Sequence, residues 1–479
     1  MNKKPTPERE TSVSERVRSQ YTAAPFPPVS YFPVVSGPPQ HRTWLYSFTE
    51  IYYHAFRKLR NPAGARLLDA GCGTGHGVHQ IRHLAPGAEV HACDFSPSSL
   101  AIARQRIEAL GGEPVTFHEL DLLDLRKLPG KFDAIFCSGV VHHTADPVRA
   151  LQELKSKLKP DGVLYLMLYS QFGRRPTMLM QRAIKMLSRN PKDQQEGLQV
   201  GRMLFDALPS TNPIATWERE KWSDNHRAHP EAFIDMYVNA NEKNYSIREV
   251  YADLAAAGLQ FVRFDKPQLW QLGARMNLPQ ELQARFQALP ALGQYEVIEH
   301  LFPDRDQYMF MVTHAGKPPA LPAWLVRGSL AGLEHRFTAT RSTFIAEINP
   351  TTPQPGFSYW SGYFEVLTQL DTLTRDLLDR CDGKGSVADV IASWEKAHGP
   401  LVQGRGAEFI RMLEARGLVY LSEIATPPAA IIPLPVPAKP KAATGKPATR
   451  KAAKRPPEKP VKKPAKLKPS SRSARRKRR

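Results

Sequence analysis

The chain has 479 residues, 42% of them hydrophobic, and a formal net charge of +20. At roughly 150 residues per domain it has room for two or three domains. No apolar run approaches the roughly 18 residues of a membrane span, and Met1–Glu10 lacks the apolar core of a secretory signal, so a soluble, cytoplasmic protein is expected. The charge is unevenly placed: residues 433–479 hold 18 of the 66 Lys and Arg but only one of the 46 Asp and Glu. The remainder is nearly neutral, which argues against a basic folded nucleic-acid surface. Cys72, Cys93, Cys137 and Cys381 form no C-x-x-C pair. Reduced thiols are expected, with no disulfide framework and no metal site.

Residues 1–43 are polar and then proline-rich, reading as an extended N-terminal segment. Trp44–Leu59 has helical spacing. An alternation of short strands and amphipathic helices follows, the signature of an α/β layer. Arg66–Asp69 is a buried strand, followed by a glycine loop and a helix to about Leu84. Glu89–Asp94 is the second strand. Ser96 is an N-cap with Pro97 at the first helical position, and that helix stops at Gly111-Gly112. Val115–Glu119 and Phe132–Ser138 are the third and fourth strands. A helix over Pro147–Leu158 and a Pro160-Asp161-Gly162 turn lead to the fifth strand, Val163–Leu168.

The rhythm breaks at 170–245, which reads as a helical insertion placed to act as a lid. It resumes with the Ser246…Glu249 capping box, the strand Phe261–Phe264 and a last strand, Tyr308–Thr313. The expected fold is therefore a Rossmann-like, seven-stranded, mostly parallel sheet over 44–315, with the insertion after strand five. Residues 316–355 read as a linker. Residues 356–425 form a small helical, winged-helix-like domain, with helices at Leu373–Cys381, from Ser386, and at Gly404–Arg416 ending on Gly417. Residues 426–479, rich in Lys, Arg, Pro and Ala, cannot bury apolar surface and are expected to be disordered.

Chemistry concentrates at strand ends. Asp69-Ala70-Gly71-Cys72-Gly73-Thr74-Gly75 joins a strand to a helix, where glycines permit a tight turn and close backbone approach to a ligand. A dinucleotide site would need a third glycine at position 76, which is His76. Asp94-Phe95 ends the second strand, and its carboxylate suits a ribose diol. Asp121-Leu122 follows the third strand, on the adenine side. Ser138-Gly139-Val140-Val141-His142-His143 closes the fourth. All four sit where open α/β sheets bind ligands.

With these residues in place, 62–170 resembles the class I S-adenosylmethionine-dependent methyltransferase superfamily, including Leu158-Lys-Pro-Asp-Gly162. A narrower resemblance rests on Gln20-Tyr21…Pro25-Phe26-Pro27, Ser138-Gly-Val-Val-His-His143 and Leu168-Tyr-Ser170…Arg174. These are similar to a bacterial group with a Q-Y-E-x-N-P-Y-P segment, from which this chain departs by Thr-Ala-Ala at 22–24 and by Phe26. The resemblance implies S-adenosyl-L-methionine as cofactor, bound by Asp69, Ala70, Gly71, Cys72, Gly73, Thr74, Gly75, Asp94, Phe95, Asp121, Leu122, Ser138 and Val140. It implies methyl transfer to an O or N atom of an acceptor, with carbon also open. His142 and His143 are the candidate bases, and only one can face the crevice if they continue a strand.

Tyr169 and Ser170 are candidates for shaping the acceptor pocket. Arg174, Arg175, Trp217 and Trp222 are candidates for selecting an anionic or aromatic substrate, or for covering the insertion's own core. The fourth strand lacks both the Asn/Asp-Pro-Pro-aromatic of exocyclic-amine nucleic-acid methylases and the Pro-Cys of cytosine C5 methylases. A small-molecule acceptor is the favoured expectation. Two alternatives stand beside it: RNA or protein recruited through 433–479, which would bind nucleic acid or another anionic surface non-specifically, and a non-catalytic cofactor sensor or nucleic-acid-binding protein. Residues 346–425 resemble, through Leu377-Leu378, Asp382-Gly383, Ser386–Val390 and Phe409…Leu413…Gly417-Leu418, small domains of the pyrroloquinoline-quinone synthesis protein D type. That resemblance implies peptide or partner binding.

Overall fold

In a computed structural model the central sheet has the strand order β3-β2-β1-β4-β5-β7-β6. The strands are β1 (Arg66–Ala70), β2 (Glu89–Asp94), β3 (Val115–Glu119), β4 (Phe132–Ser138), β5 (Leu158–Tyr169), β6 (Leu259–Phe264) and β7 (Gln307–His314). The first five are parallel, and β7 runs antiparallel between β5 and β6. The structure describes residues 12–30, 47–111, 113–222, 229–316, 337–341, 357–360, 365–368, 372–415 and 418–423. The 426–479 tail, Gly417, the Trp222 side chain and most of the 316–355 linker lie outside them. Among the described residues no helix is long and apolar enough to cross a membrane.

β1, β4 and β5 are buried nearly throughout, because helices cover both faces. One face packs α5 (Pro147–Lys157), α10 (Ile247–Ala256) and α12 (Ala291–Leu301) over Leu68, Ile135, Leu164 and Phe310. The other packs α2 (Phe48–Phe56), α3 (His76–Leu84) and α4 (Pro97–Leu110) over Leu67, Ala134, Val163 and Met311. The expected caps form: the Ser96 side chain accepts from Ser99 N ahead of Pro97, and Ser246 and Glu249 close a capping box. The fifth strand starts at Leu158, earlier than the Pro160 turn implied, because Leu158 pairs with Phe132 before the register shifts.

The N-terminal segment, the stretch before the last strand and the linker differ from the sequence reading, while the insertion is helical as expected. The N-terminal segment is not wholly extended: α1 (Val13–Ala23) opens with a Ser12–Glu15 capping box. The insertion is a bundle of α6 (Arg175–Leu187), α7 (Gln194–Ala207), α8 (Pro213–Trp222) and α9 (Pro230–Tyr237) around Ile184, Leu198, Phe205, Phe233 and Tyr237. A further helix, α11 (Gln280–Gln287), precedes α12.

The small domain begins inside the supposed linker. Strand β8 (Phe337–Arg341) is the centre of a three-stranded antiparallel sheet, flanked by β11 (Asp382–Ser386) and β12 (Val419–Glu423). A separate hairpin pairs β9 (Phe357–Trp360) with β10 (Glu365–Thr368). Helices α13 (Thr372–Arg380), α14 (Val387–His398) and α15 (Gly406–Ala415) enclose Leu377, Val390, Trp394 and Leu413. This domain docks on the sheet domain through polar groups. Glu414 takes an ion pair from Arg57 at 2.6 Å and a hydrogen bond from Tyr53, whose hydroxyl also accepts Leu421 N at 3.0 Å.

Candidate active site

The glycine loop is shaped by what it must avoid. Gly71 N and Cys72 N both donate to Cys93 O, at 2.8 and 2.9 Å, folding the loop over the end of β2. Gly71 and Gly73 have positive φ, and a Cβ there would strike Val140 and the Phe26 carbonyl respectively. The Asp94 carboxylate accepts Gly73 N through Oδ2 and Ser96 N through Oδ1, each at 2.9 Å. Asp121 accepts Leu123 N through Oδ1, capping the short turn after β3.

Together these strand ends open onto a cavity of about 1210 Å³, its solvent-open mouth included. Asp69, Gly71, Cys72, Gly73, Asp94, Phe95, Asp121, Leu122, Ser138 and Val140 all line it. Ala70, Thr74 and Gly75 do not: Ala70 is sheet core, Thr74 bonds the N-terminal segment, and Gly75 turns the chain into α3 against Ala103.

The residues present fit the expected cofactor. Asp69 is buried and lines the cavity, and its carboxylate has no hydrogen-bond or ionic partner among the described residues. Burial, and then the charge of Asp94, push its carboxyl up to about 8. Burial pushes Asp94 up to about 6 against the pull of its backbone donors. Two carboxylates short of counter-charge suit a ligand bearing sulfonium and ammonium groups. The Asp94 oxygens keep acceptor capacity beyond their backbone donors, enough for a vicinal diol.

At the other end of the cavity, Val141–His143 is a 3₁₀ turn rather than a strand continuation. His143 lines the cavity, and its Nδ1 lies 2.8 Å from Asn241 O. A carbonyl can only accept, so Nδ1 carries the proton and Nε2 is left basic. His142 does not line the cavity. It is buried with its ring 4.0 Å from that of Tyr169 and neither nitrogen bonded, and burial, His143 and Arg174 hold it well below the usual imidazole range.

Tyr169 lines the cavity, whereas Ser170 turns away to donate to Tyr308. The insertion's cations do not reach the site. Arg174 is buried against the Tyr169 ring and paired with Glu242 at 2.8 Å, Arg175 is exposed on α6, and Trp217 packs beside Lys221. Among the described residues no Lys or Arg lines the cavity, while Asp69, Asp94, Asp121 and Asp235 do. The expectation that these arginines select an anionic substrate is therefore replaced by an acidic pocket.

The sequence reading put a lid in the insertion but named for it none of the residues that roof the cavity. Val17 and Tyr21 of α1, then Phe26 and Pro27, line the cavity, and Asp235 enters from α9. Tyr21 donates to Asp235 at 2.7 Å and accepts from Asn239 at 3.2 Å. Gln20 accepts Ala240 N at 2.8 Å, so α1 and the insertion meet over the site. The only local sign was Gln20-Tyr21 itself; nothing near Asp235 marks it.

Comparison with known proteins locates the chain among others. A family model described as "Methyltransferase domain" matches residues 68–164. The uncharacterized protein syc1184_c of Synechococcus sp. is 36% identical over 310 residues, which is 64% of this chain and 73% of that protein. The demethylmenaquinone methyltransferase of Thermus thermophilus is 43% identical over 105 residues, 22% of this chain, and the match spans about half (47%) of that protein. Among solved structures, PKMT2 from Rickettsia typhi in complex with AdoHcy aligns with a TM-score of 0.56 at 18% identity, covering 81% of this chain and 77% of that one, a likeness of fold.

Proposed function

The chain belongs to the class I S-adenosylmethionine-dependent methyltransferase superfamily, and on that premise we propose that it methylates an O–H or N–H group of a small, uncharged or cationic acceptor in the cytoplasm. When bound, the cofactor supplies a methyl group already activated on a sulfonium. The chain holds it through the glycine loop, Asp94 and Asp121, and sets the acceptor between Tyr21, His143, Tyr169 and Asp235. Positioning does much of the work in an in-line displacement. His143 Nε2 takes the acceptor's proton, its ring fixed by the Asn241 carbonyl.

The observation that carries this reading is the charge of the cavity, four aspartates with no Lys or Arg among the described residues. A phosphate or carboxylate acceptor would find no cation there to pair with. The Tyr21–Asp235 roof also suits a small acceptor better than a polymer. The Thermus relative's substrate, demethylmenaquinone, is in keeping with a small acceptor.

Transfer of labelled methyl from the cofactor to a cell extract, followed by size and ion-exchange fractionation, tests the proposal. Label should enter low-mass material not retained on an anion exchanger. Label in RNA or protein supports instead a polymer recruited by the +17 charge of residues 433–479; deleting them should then cut turnover and flatten its salt dependence. Cofactor binding with no transfer to any fraction would point to a sensor.

A further inference from the structure

The α6–α7 hairpin buries Met180, Ile184, Leu198 and Phe205 in its own bundle, yet leaves other large apolar side chains outside. Met186 is 84% exposed, Met203 63%, Leu187 60% and Leu179 45%. On α6, Leu179, Met186 and Leu187 share the solvent side with Arg175, Arg182 and Lys185, and Arg189 follows at the tip; α6 contains no acidic residue, whereas Met203 lies on α7 one turn before the exposed Asp206. The tip is fastened rather than loose. Glu196 accepts Arg189 N and Asn190 N at 2.8 Å each, and Ser188 Oγ donates to Ile184 O at 2.9 Å. Met186 and Leu187 are thus held out into water.

We propose that this face of the α6–α7 hairpin is a peripheral docking surface for an anionic lipid bilayer. Protruding Met and Leu side chains flanked by Arg and Lys match the boundary between acyl chains and anionic headgroups, where the apolar groups sink and the cations stay at headgroup level. Other occupants fit less well. The basic residues 433–479 carry the same charge sign as this face, and so does the same face of a second copy. A nucleic acid would pair with the cations but leave Met186 and Leu187 against sugar and phosphate. The face goes beyond the proposed reaction and does not depend on which acceptor is used. It lies on the helix that follows Arg174, whose guanidinium covers the Tyr169 ring about three turns from Met186.

All four native cysteines are buried, so a thiol introduced at the surface can be labelled selectively. The full-length Met186→Cys protein, carrying an environment-sensitive maleimide dye, is mixed with vesicles of phosphatidylcholine containing phosphatidylglycerol. The expected result is a blue shift and protection from iodide quenching at position 186, absent with the dye at exposed Gln283→Cys on α11. Adding Arg182→Glu and Lys185→Glu should lower the inserted fraction about tenfold or more, and the milder Arg182→Gln with Lys185→Gln should lower it less. The proposal is overturned if the dye stays in water on vesicles that have bound the protein, since the basic tail alone would give that outcome. It is equally overturned if no protein binds, if phosphatidylcholine alone gives the same shift, if the charge variants keep it, or if RNA produces it.

Discussion

The Tyr21 hydroxyl donates to the Asp235 carboxylate at 2.7 Å, joining a helix that precedes the sheet to one that follows its fifth strand. The pair closes the cavity over His143, whose ring centroid is 6.1 Å from that of Tyr21. It makes the roof depend on two distant segments folding onto each other. Tyr21→Phe should leave cofactor affinity within about threefold and raise the acceptor KM, because Asp235 keeps only the weaker Asn239 contact at 3.4 Å. Titration of cofactor beside the labelling assay separates the two effects.

Asp94→Ala removes the acceptor for Gly73 N and Ser96 N and the carboxylate offered to the ribose. Cofactor affinity should fall on the order of 10- to 100-fold, as for charged hydrogen bonds. Calorimetric titration of wild type and variant checks it; equal affinities would remove Asp94 from the cofactor site.

Asp69 should show opposite signs in stability and binding. Its folded value lies near 8, above that of an unfolded carboxyl, so its contribution to stability is fully present at low pH and is lost as pH rises towards 8. A cationic ligand prefers the ionised form, so cofactor should bind more tightly as pH rises from 6 to 8, with proton release. Asp69→Asn should raise the melting temperature of the free protein at pH 8, weaken cofactor binding and cut the proton release near pH 8, leaving the smaller release of Asp94 near pH 6. Calorimetry in buffers of differing ionisation enthalpy measures that release.

The adjacent histidines should behave unlike each other. His143→Gln should cut methyl transfer by about 10²–10⁴-fold, the usual worth of a general base, with cofactor affinity unchanged. His142 has neither nitrogen bonded. His142→Phe keeps a ring beside Tyr169 and removes two buried polar atoms, so melting temperature should hold or rise and turnover stay within a few-fold. Equal losses in both variants would count against His143 as the base.

Glu414→Ala would leave Arg57 without its ion-pair partner and Arg263 without the attraction of that carboxylate at the domain contact; Arg263 is already pushed down to about 10 by burial and Arg57. Removing one partner of such a pair costs about 3 kcal/mol or more. A lower unfolding midpoint and faster proteolytic release of the small domain are expected, with cofactor affinity unchanged.

The sheet and the strand-end residues that line the cavity were legible because their signals are local. Ile135 and Leu164 sit in short apolar strands, Gly71 and Gly73 mark a turn that tolerates no side chain, and Asp94 and Asp121 fall at strand ends. The acceptor end was not legible. Asp235 earns its place only through Tyr21, 214 positions away in sequence, and no period or spacing encodes that meeting. Arg174 reads as a substrate cation until Glu242 is seen to occupy it. A continued strand would also put only one of His142 and His143 in the crevice, but it is the turn at Val141–His143 that places one in the cavity and the other in the core. Thr338 and Ala339 lie in a proline-rich stretch with no strand signal of its own; their pairing with Leu421 and Ser422 supplies what the local sequence lacks.

The N-terminal segment grips the cofactor loop almost entirely through main-chain oxygens. The carbonyls of Tyr21, Thr22, Phe26 and Pro27 accept from Ser96, Ser98 and both donors of Thr74. A latch made of carbonyls is blind to the side chains it carries. Thr-Ala-Ala and Phe26 can therefore stand where the similar Q-Y-E-x-N-P-Y-P segment carries Glu, Asn and Tyr without removing any of these four hydrogen bonds, and the Phe26 side chain, which lines the cavity, can change while the latch holds.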